Sequence, residues 1–320
     1  MKLKEIYQLG IKLAIEADPR GKKVIEADLK RLRDAYQKME EREKLSFDED
    51  SLTNPFADSR ILNGDPNKEI KTIMVGIDME TPELLLAHEL NKSGEKIDLV
   101  LAHHPEGRAL LQLGEVMDVQ YDVMTDVGVP INVAQKILAP RIAEIARSIH
   151  PLNFQRMIDA ARFLGLTYAC FHTITDNLVY RYLRDGLCKK KFRTVGDVLD
   201  ELYKIPEYQM AAKGGNPPDI VVGDKKSMAG RIAPLEMTGG TNGPEDMYAK
   251  LSAAGVGTIL SMHATDKHRK EAEKNHLNII VCGHQASDSI GINLFLDRLE
   301  KKGVKILPVG MIRYNRIKKR

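Results

Sequence analysis

The sequence predicts an α/β protein of two interlinked lobes with mixed sheets, preceded by an N-terminal helical hairpin. Three observations carry this expectation. Short apolar runs of strand length, at residues 71–77, 97–102, 166–171, 258–262 and 277–282, alternate with stretches of helical apolar spacing. Strand–helix–strand order, as at residues 71–102, favours parallel pairing. Three of the runs end in histidines: His103-His104, His172 and His284. In open α/β sheets, ligands collect at the carboxyl ends of strands.

Composition narrows the class. The 320-residue chain is 43% hydrophobic and 29% charged, enough for a large core and too apolar for a disordered chain. The net charge of +3 is too small to argue for nucleic acid. The three cysteines, Cys170, Cys188 and Cys282, show neither metal-site spacing nor a disulfide framework, so a reducing cytoplasm is expected. No apolar run approaches bilayer length, and Lys12, Glu16 and Asp18 interrupt the N-terminal apolar stretch, so neither a membrane span nor a targeting peptide is expected.

In order, residues 3–17 carry an amphipathic helical pattern that Asp18-Pro19-Arg20-Gly21 breaks. A charge-laced helix is expected over 24–45. This hairpin, residues 1–50, holds no histidine or cysteine and is expected to be dispensable for any metal site. Residues 51–212 form the expected first lobe and 213–320 the second, with interleaving allowed. Short strands are expected at 60–62 and 71–77, the latter closed by Asp78, followed by a helix over 82–92 with Pro82 in its first turn. His88 lies inside that helix, where a packing role suffices. Helices are expected over 132–149, 153–164, 178–187 and 194–202, with Asp176 or Asn177 available to cap the third. The glycine-rich stretch 238–244 precedes an expected helix over 245–254. Such a loop can hold an anion, but no phosphate-loop lysine follows, and a tight turn explains it equally well. Residues 304–309 form the last expected strand, and 313–320 a basic, solvated tail.

The chemistry lies in the pooled strand ends. His103-His104, His172 with Asp176, and His284 with Asp288 would supply imidazoles and carboxylates to one crevice. That donor set suits zinc, manganese, iron or cobalt, and its size points to two ions close together. His284 and Asp288 are four apart and share one face if a helix begins there. The competing role for Asp288 is to cap the following helix.

Residues 97–105 resemble the His-His-Pro motif of the NGG-interacting-factor-three-like family, also labelled GTP cyclohydrolase I type 2. Residues 172–177 resemble its His-Thr-x-x-Asp motif, and residues 283–288 its Gly-His-x-x-Ser/Thr-Glu motif, in the same order. The resemblance covers roughly residues 55–310 and leaves out the hairpin. It implies a dinuclear centre of two divalent ions held by His103, His104, Asp176, His284 and Asp288. Asp288, one methylene shorter, stands where the family usually has Glu. His172 is placed behind Asp176 as an orienting residue. The resemblance also implies a toroidal homo-oligomer, a hexamer built as a trimer of dimers.

A metal-dependent hydrolase acting on a nucleotide-like or cyclic amide substrate is the function this implies, with His263 and His268 as candidate acid–base catalysts. The family label implies GTP, yet no phosphate loop or guanine-reading pocket is evident in the sequence. The alternative is a non-enzymatic metal-binding or regulatory interaction protein. A nucleic-acid partner would have only the basic tail to favour it.

Overall fold

In the computed structural model, which describes residues 1–317, the strands in chain order are β1 (Ser59–Asn63), β2 (Thr72–Gly76), β3 (Leu99–Ala102), β4 (Tyr168–Phe171), β5 (Asp219–Val222), β6 (Arg231–Pro234), β7 (Val256–Ser261), β8 (Asn278–Val281) and β9 (Lys305–Pro308). The first sheet has the order β1-β4-β3-β2-β9 and the second β5-β8-β7-β6. In the first, β4, β3, β2 and β9 run parallel, and β1 is an antiparallel edge. The second repeats the plan: β8, β7 and β6 are parallel, with β5 antiparallel at the edge. The lobes interlink because β9, from the far end of the chain, pairs with β2 and closes the first sheet.

The alternation of side chains explains why these runs are apolar throughout. Ile73, Val75, Leu99, Leu101, Ala169 and Phe171 enter one core, while Met74, Val100, Ala102, Tyr168 and Cys170 enter another on the opposite face. A parallel sheet covered on both faces has no solvent side to mark with polar residues.

Five helices position the site: α1 (Leu3–Ala17), α2 (Lys22–Lys38), α3 (Thr81–Lys92), α4 (His172–Leu183) and α5 (His284–Glu300). The second helix of the hairpin stops at Lys38, short of the expected residue 45, and buries only Ile25 and Leu29. Its partner α1 is no appendage. Leu3, Ile6, Ile11 and Ala14 lie in the first core beside Phe171 and Ile174. Asn177 of α4 donates to the Ala14 carbonyl and to Asp18. Helix α1 thus braces the helix carrying Asp176.

The largest departure is α4 itself, which begins at His172 rather than near residue 178. Asp176 is thus an interior helical residue and not a cap. Helix α5 follows a turn at Gly283, whose φ of 92° suits glycine, and it starts at His284. It crosses α4 closely at Gly291, where a Cβ would fall 2.2 Å from the Thr175 carbonyl oxygen. The basic tail also departs from expectation. Arg313 pairs with Asp297 and Glu300, and Arg316 with Glu207, so the described part of the tail is pinned to α5 and its neighbours. Residues 318–320 of that tail lie outside the described residues. Among the described residues, no helix is long and apolar enough to cross a membrane.

Candidate metal centre

Parallel strands bring their carboxyl ends to one edge of the first sheet. Asp78 follows β2, His103-His104 follow β3, and α4 with His172 and Asp176 follows β4. The second sheet meets this edge through β8, after which α5 delivers His284 and Asp288. All five residues expected to hold metal are therefore brought together from three separate segments. His103 and His104 leave the strand by a bend, and both face the cluster, with ring centroids 5.1 Å apart.

One ring nitrogen of each of the cluster histidines His103, His104 and His172 is anchored. The Thr175 hydroxyl donates to the Phe171 carbonyl, so His103 Nδ1 donates to Thr175 Oγ1 at 2.8 Å. His104 Nδ1 donates to Asp78 at 2.5 Å, and His172 Nδ1 to Asp58 at 2.8 Å. Each contact fixes the ring and leaves Nε2 turned inward, the arrangement found behind metal-ligating imidazoles. Inside, His103 Nε2 lies 3.5 Å from both Asp176 Oδ1 and Asp288 Oδ1. His284 Nε2 lies 3.3 Å from Asp288 Oδ2 and 3.4 Å from His104 Nε2.

Four of these inward atoms lack hydrogen-bond partners. His103 Nε2, Asp176 Oδ1 and both Asp288 oxygens are buried and unpaired. Lone pairs facing one another in a sealed site are costly unless a cation lies among them. Two groups of three ligand atoms each lie within 4.8 Å of one another: His104, His284 and Asp288, and His103, Asp176 and Asp288. Asp288 belongs to both. Its shorter side chain reaches each group because α5 approaches α4 so closely at Gly291. His172 joins His103 and His104 in a third group, and its Nε2 stands 3.7 Å from Asp176. The donor set thus fits divalent ions.

The electrostatics agree. Burial opposes ionisation of Asp288, but His103, His284 and His104 outweigh it and hold the carboxyl at about 2. Burial pushes Asp176 up to about 6, against the pull of His172 and His103. Burial, reinforced by His103 and His172, depresses His104 to about 4. Burial also disfavours charge on His172, yet Asp176 and Asp58 more than offset it and raise the imidazole to about 9.

The two histidines expected to act as acid–base catalysts part company. His263 stands on the wall of the cavity above the cluster, edge-on to His284 at 5.1 Å. His268 is not brought there. Its Nδ1 meets the Thr265 hydroxyl at 2.7 Å at the start of the helix Asp266–Lys274, and its Nε2 donates to the Gly243 carbonyl of the glycine-rich loop at 3.1 Å, so both nitrogens are taken. His88, similarly, bonds the Leu164 carbonyl. Gln120 packs against the glycine-rich loop and braces its turn by donating to the carbonyls of Gly239 and Thr241. Sequence reading missed Asp58, Thr175 and Glu236. Asp58 and Thr175 carry no local signal, since their histidine partners lie far away in the chain. Glu236 adopts φ of 57°, rare outside glycine, two residues past β6.

Neither a scan against protein-family profiles nor a search of curated proteins gave a match. Among solved structures, the chain is similar to a NIF3 superfamily protein from Sphaerobacter thermophilus, with 27% identity, a TM-score of 0.68, and coverage of 80% of this chain and 92% of that one. It is also similar in fold to reduced HcgD from Methanocaldococcus jannaschii, with 14% identity, a TM-score of 0.52, and coverage of 84% and 97%. The fold of this chain is thus that of a NIF3 superfamily protein.

Proposed function

We propose that the protein is a hydrolase using two divalent metal ions, and that its substrate is a small nucleotide-like or cyclic amide molecule. The observation that carries this reading is the unpaired Asp288 carboxylate, buried between two groups of ligand atoms and common to both. His103, Asp176 and Asp288 would hold one ion, and His104, His284 and Asp288 the other. Ions bound there supply Lewis acidity and acidify water toward neutral pH. The chain's own residues do the rest. Thr175, Asp78 and Asp58 keep the imidazoles oriented from behind. His263, half-buried on the cavity wall, holds or moves a proton at its ring nitrogens.

We further infer assembly into a toroidal homo-hexamer. Support comes from the family likeness and from large exposed apolar side chains such as Leu45 and Phe163. Light scattering of the purified protein checks this.

The test of function is elemental analysis of protein purified without added metal, followed by a screen of cyclic amides and nucleotides. About two first-row ions per chain and metal-dependent turnover are expected. Metal without turnover would leave a metal-binding protein of another kind. Folded protein that takes up no metal would end the reading.

A further inference from the structure

Glu236 lines the cavity above the cluster, as His263 does, and has no part in holding metal in the reading above. Its backbone sits in the left-handed region, a strained setting that only the surrounding structure can enforce. Carboxyl oxygen Oε2 lies 2.7 Å from Ser261 Oγ and 3.2 Å from Asn242 Nδ2. The other oxygen, Oε1, has no hydrogen-bond partner.

Ser261 reveals where a proton lies. Its Oγ is also 2.6 Å from the His263 carbonyl oxygen. A hydroxyl has one hydrogen to donate, and a backbone carbonyl has none. Ser261 therefore donates to His263, and its contact with Glu236 is a hydrogen bond only if the carboxyl does the donating. A neutral Glu236 can. An ionised Glu236 can be satisfied as well, because the Ser261 hydroxyl can swing from the His263 carbonyl to Oε2. A carboxyl with a partner in both states suits a group that gives up a proton and takes it back. Burial favours the neutral form and outweighs Ser261, His268, His263 and the Gly243 amide, which favour the charged one. Tyr248, itself buried, also faces the carboxyl, and Glu106, His284 and Asp288 line the same cavity.

We propose that Glu236 stands protonated in the resting site and is the catalytic acid that gives a proton to the leaving nitrogen of a cyclic amide. This rests on the hydrolase reading above and adds a residue to it. The step balances. Water adds its oxygen to the carbonyl carbon, the C–N bond breaks with its electron pair passing to nitrogen, and Glu236 protonates that nitrogen. The proton that water gives up restores the neutral carboxyl. In between, the Ser261 hydroxyl turns to the carboxylate and steadies its charge.

The test pairs infrared spectroscopy with kinetics on the full-length, manganese-loaded protein. The spectrum near neutral pH should hold the C=O band of a protonated carboxyl that Glu236→Gln removes, the difference between the two proteins cancelling every other carboxyl. Glutamine keeps the shape of the neutral acid and can still donate to Ser261, so the fold should persist. Glu236→Gln should slow turnover of the cyclic amides hydantoin and dihydrouracil about a hundredfold or more, the ordinary worth of an acid catalyst. Hydrolysis of para-nitrophenyl acetate, whose phenolate leaves without a proton, should fall far less. No band lost in Glu236→Gln overturns the proposal, as does an equal fall on amide and ester, or turnover of the ester alone by the unsubstituted protein. If Glu236→Gln does not fold, Ser261→Ala decides: the band should shift as the carboxyl loses its acceptor, and an unmoved band overturns the proposal. A metal-holding chain that turns over none of the three compounds ends the hydrolase reading and the donor role with it, while the band still reports whether Glu236 carries a proton.

Discussion

His103 at the end of the first sheet and His268 in the second lobe are almost equally sealed, at 2% and 4% exposed. Their surroundings differ in one respect. His268 has a partner at each ring nitrogen, Thr265 and the Gly243 carbonyl. His103 has one partner, Thr175, and turns its other nitrogen toward two carboxylates that cannot donate to it. Burial alone therefore does not separate a structural histidine from a candidate ligand. The state of the second nitrogen does, because an unpaired acceptor in a dry site has to be satisfied by something the chain does not supply.

The strongest way to break this contrast is to remove the acceptor that the first region shares. Asp288 is the fifth residue of α5, behind Gly283 at the cap position, so a capping role is not open to it. Asp288→Asn puts an amide donor where two groups of ligand atoms meet. Manganese affinity should fall by more than about a hundredfold, exceeding the loss typical of an outer partner. Calorimetric titration checks this, with circular dichroism to confirm the fold. Unchanged affinity would remove Asp288 from the centre and with it the argument from unpaired atoms.

A smaller effect is expected one step outward. Asp58 is fully buried and accepts from His172 Nδ1, from the Thr173 hydroxyl and from the Thr173 amide. Asp58→Asn should cost about 10- to 100-fold in manganese affinity. It should also change how the metal-free protein responds to pH. In the folded chain the His172 imidazole is raised from 6.5 to about 9. A raised base stabilises the fold fully below its unfolded value, and that contribution is lost as pH climbs through the folded one. Thermal unfolding in a chelator should therefore show the gap between the two proteins widest near pH 6.5 and closing above pH 9. A gap constant across that range would mean that Asp58 acts only through packing.

The first region was the more legible one in the sequence. Histidines closing apolar runs, with Asp176 and Asp288 each four residues after one of them, marked the three strand ends, and the family resemblance narrowed these to five candidate ligands. The pairing of β9 with β2 was not legible, since a four-residue strand carries no mark of which sheet it will join. Nor was the start of α4. His172-Thr-Ile-Thr-Asp-Asn177 is rich in β-branched and cap-forming residues, which read as loop. All six are buried, and contacts from Asp58, α1 and α5 override the local preference. Partners such as Asp58 are invisible for the same reason: their role exists only across the fold. In the second lobe, His268 looked like His263 as a sequence feature, a histidine shortly after a strand. What divides them is a capping box around Thr265.

That capping box gives the smallest and most discriminating change. Thr265 and His268 occupy the cap and third positions of the helix Asp266–Lys274, where glutamine is a normal third residue. In His268→Gln the side-chain amide can still receive the Thr265 amide, while the hydrogen bond from Nε2 to the Gly243 carbonyl goes. The cost should be about 1 kcal/mol of stability, the worth of one ordinary hydrogen bond. Manganese stoichiometry and affinity should not change, because neither nitrogen of His268 is open to an ion. Unfolding curves and metal titration on the same sample separate the two effects. A fall in metal affinity with the fold intact would place His268 within the centre, and the occupancy of both ring nitrogens would no longer distinguish the two kinds of buried histidine in this chain.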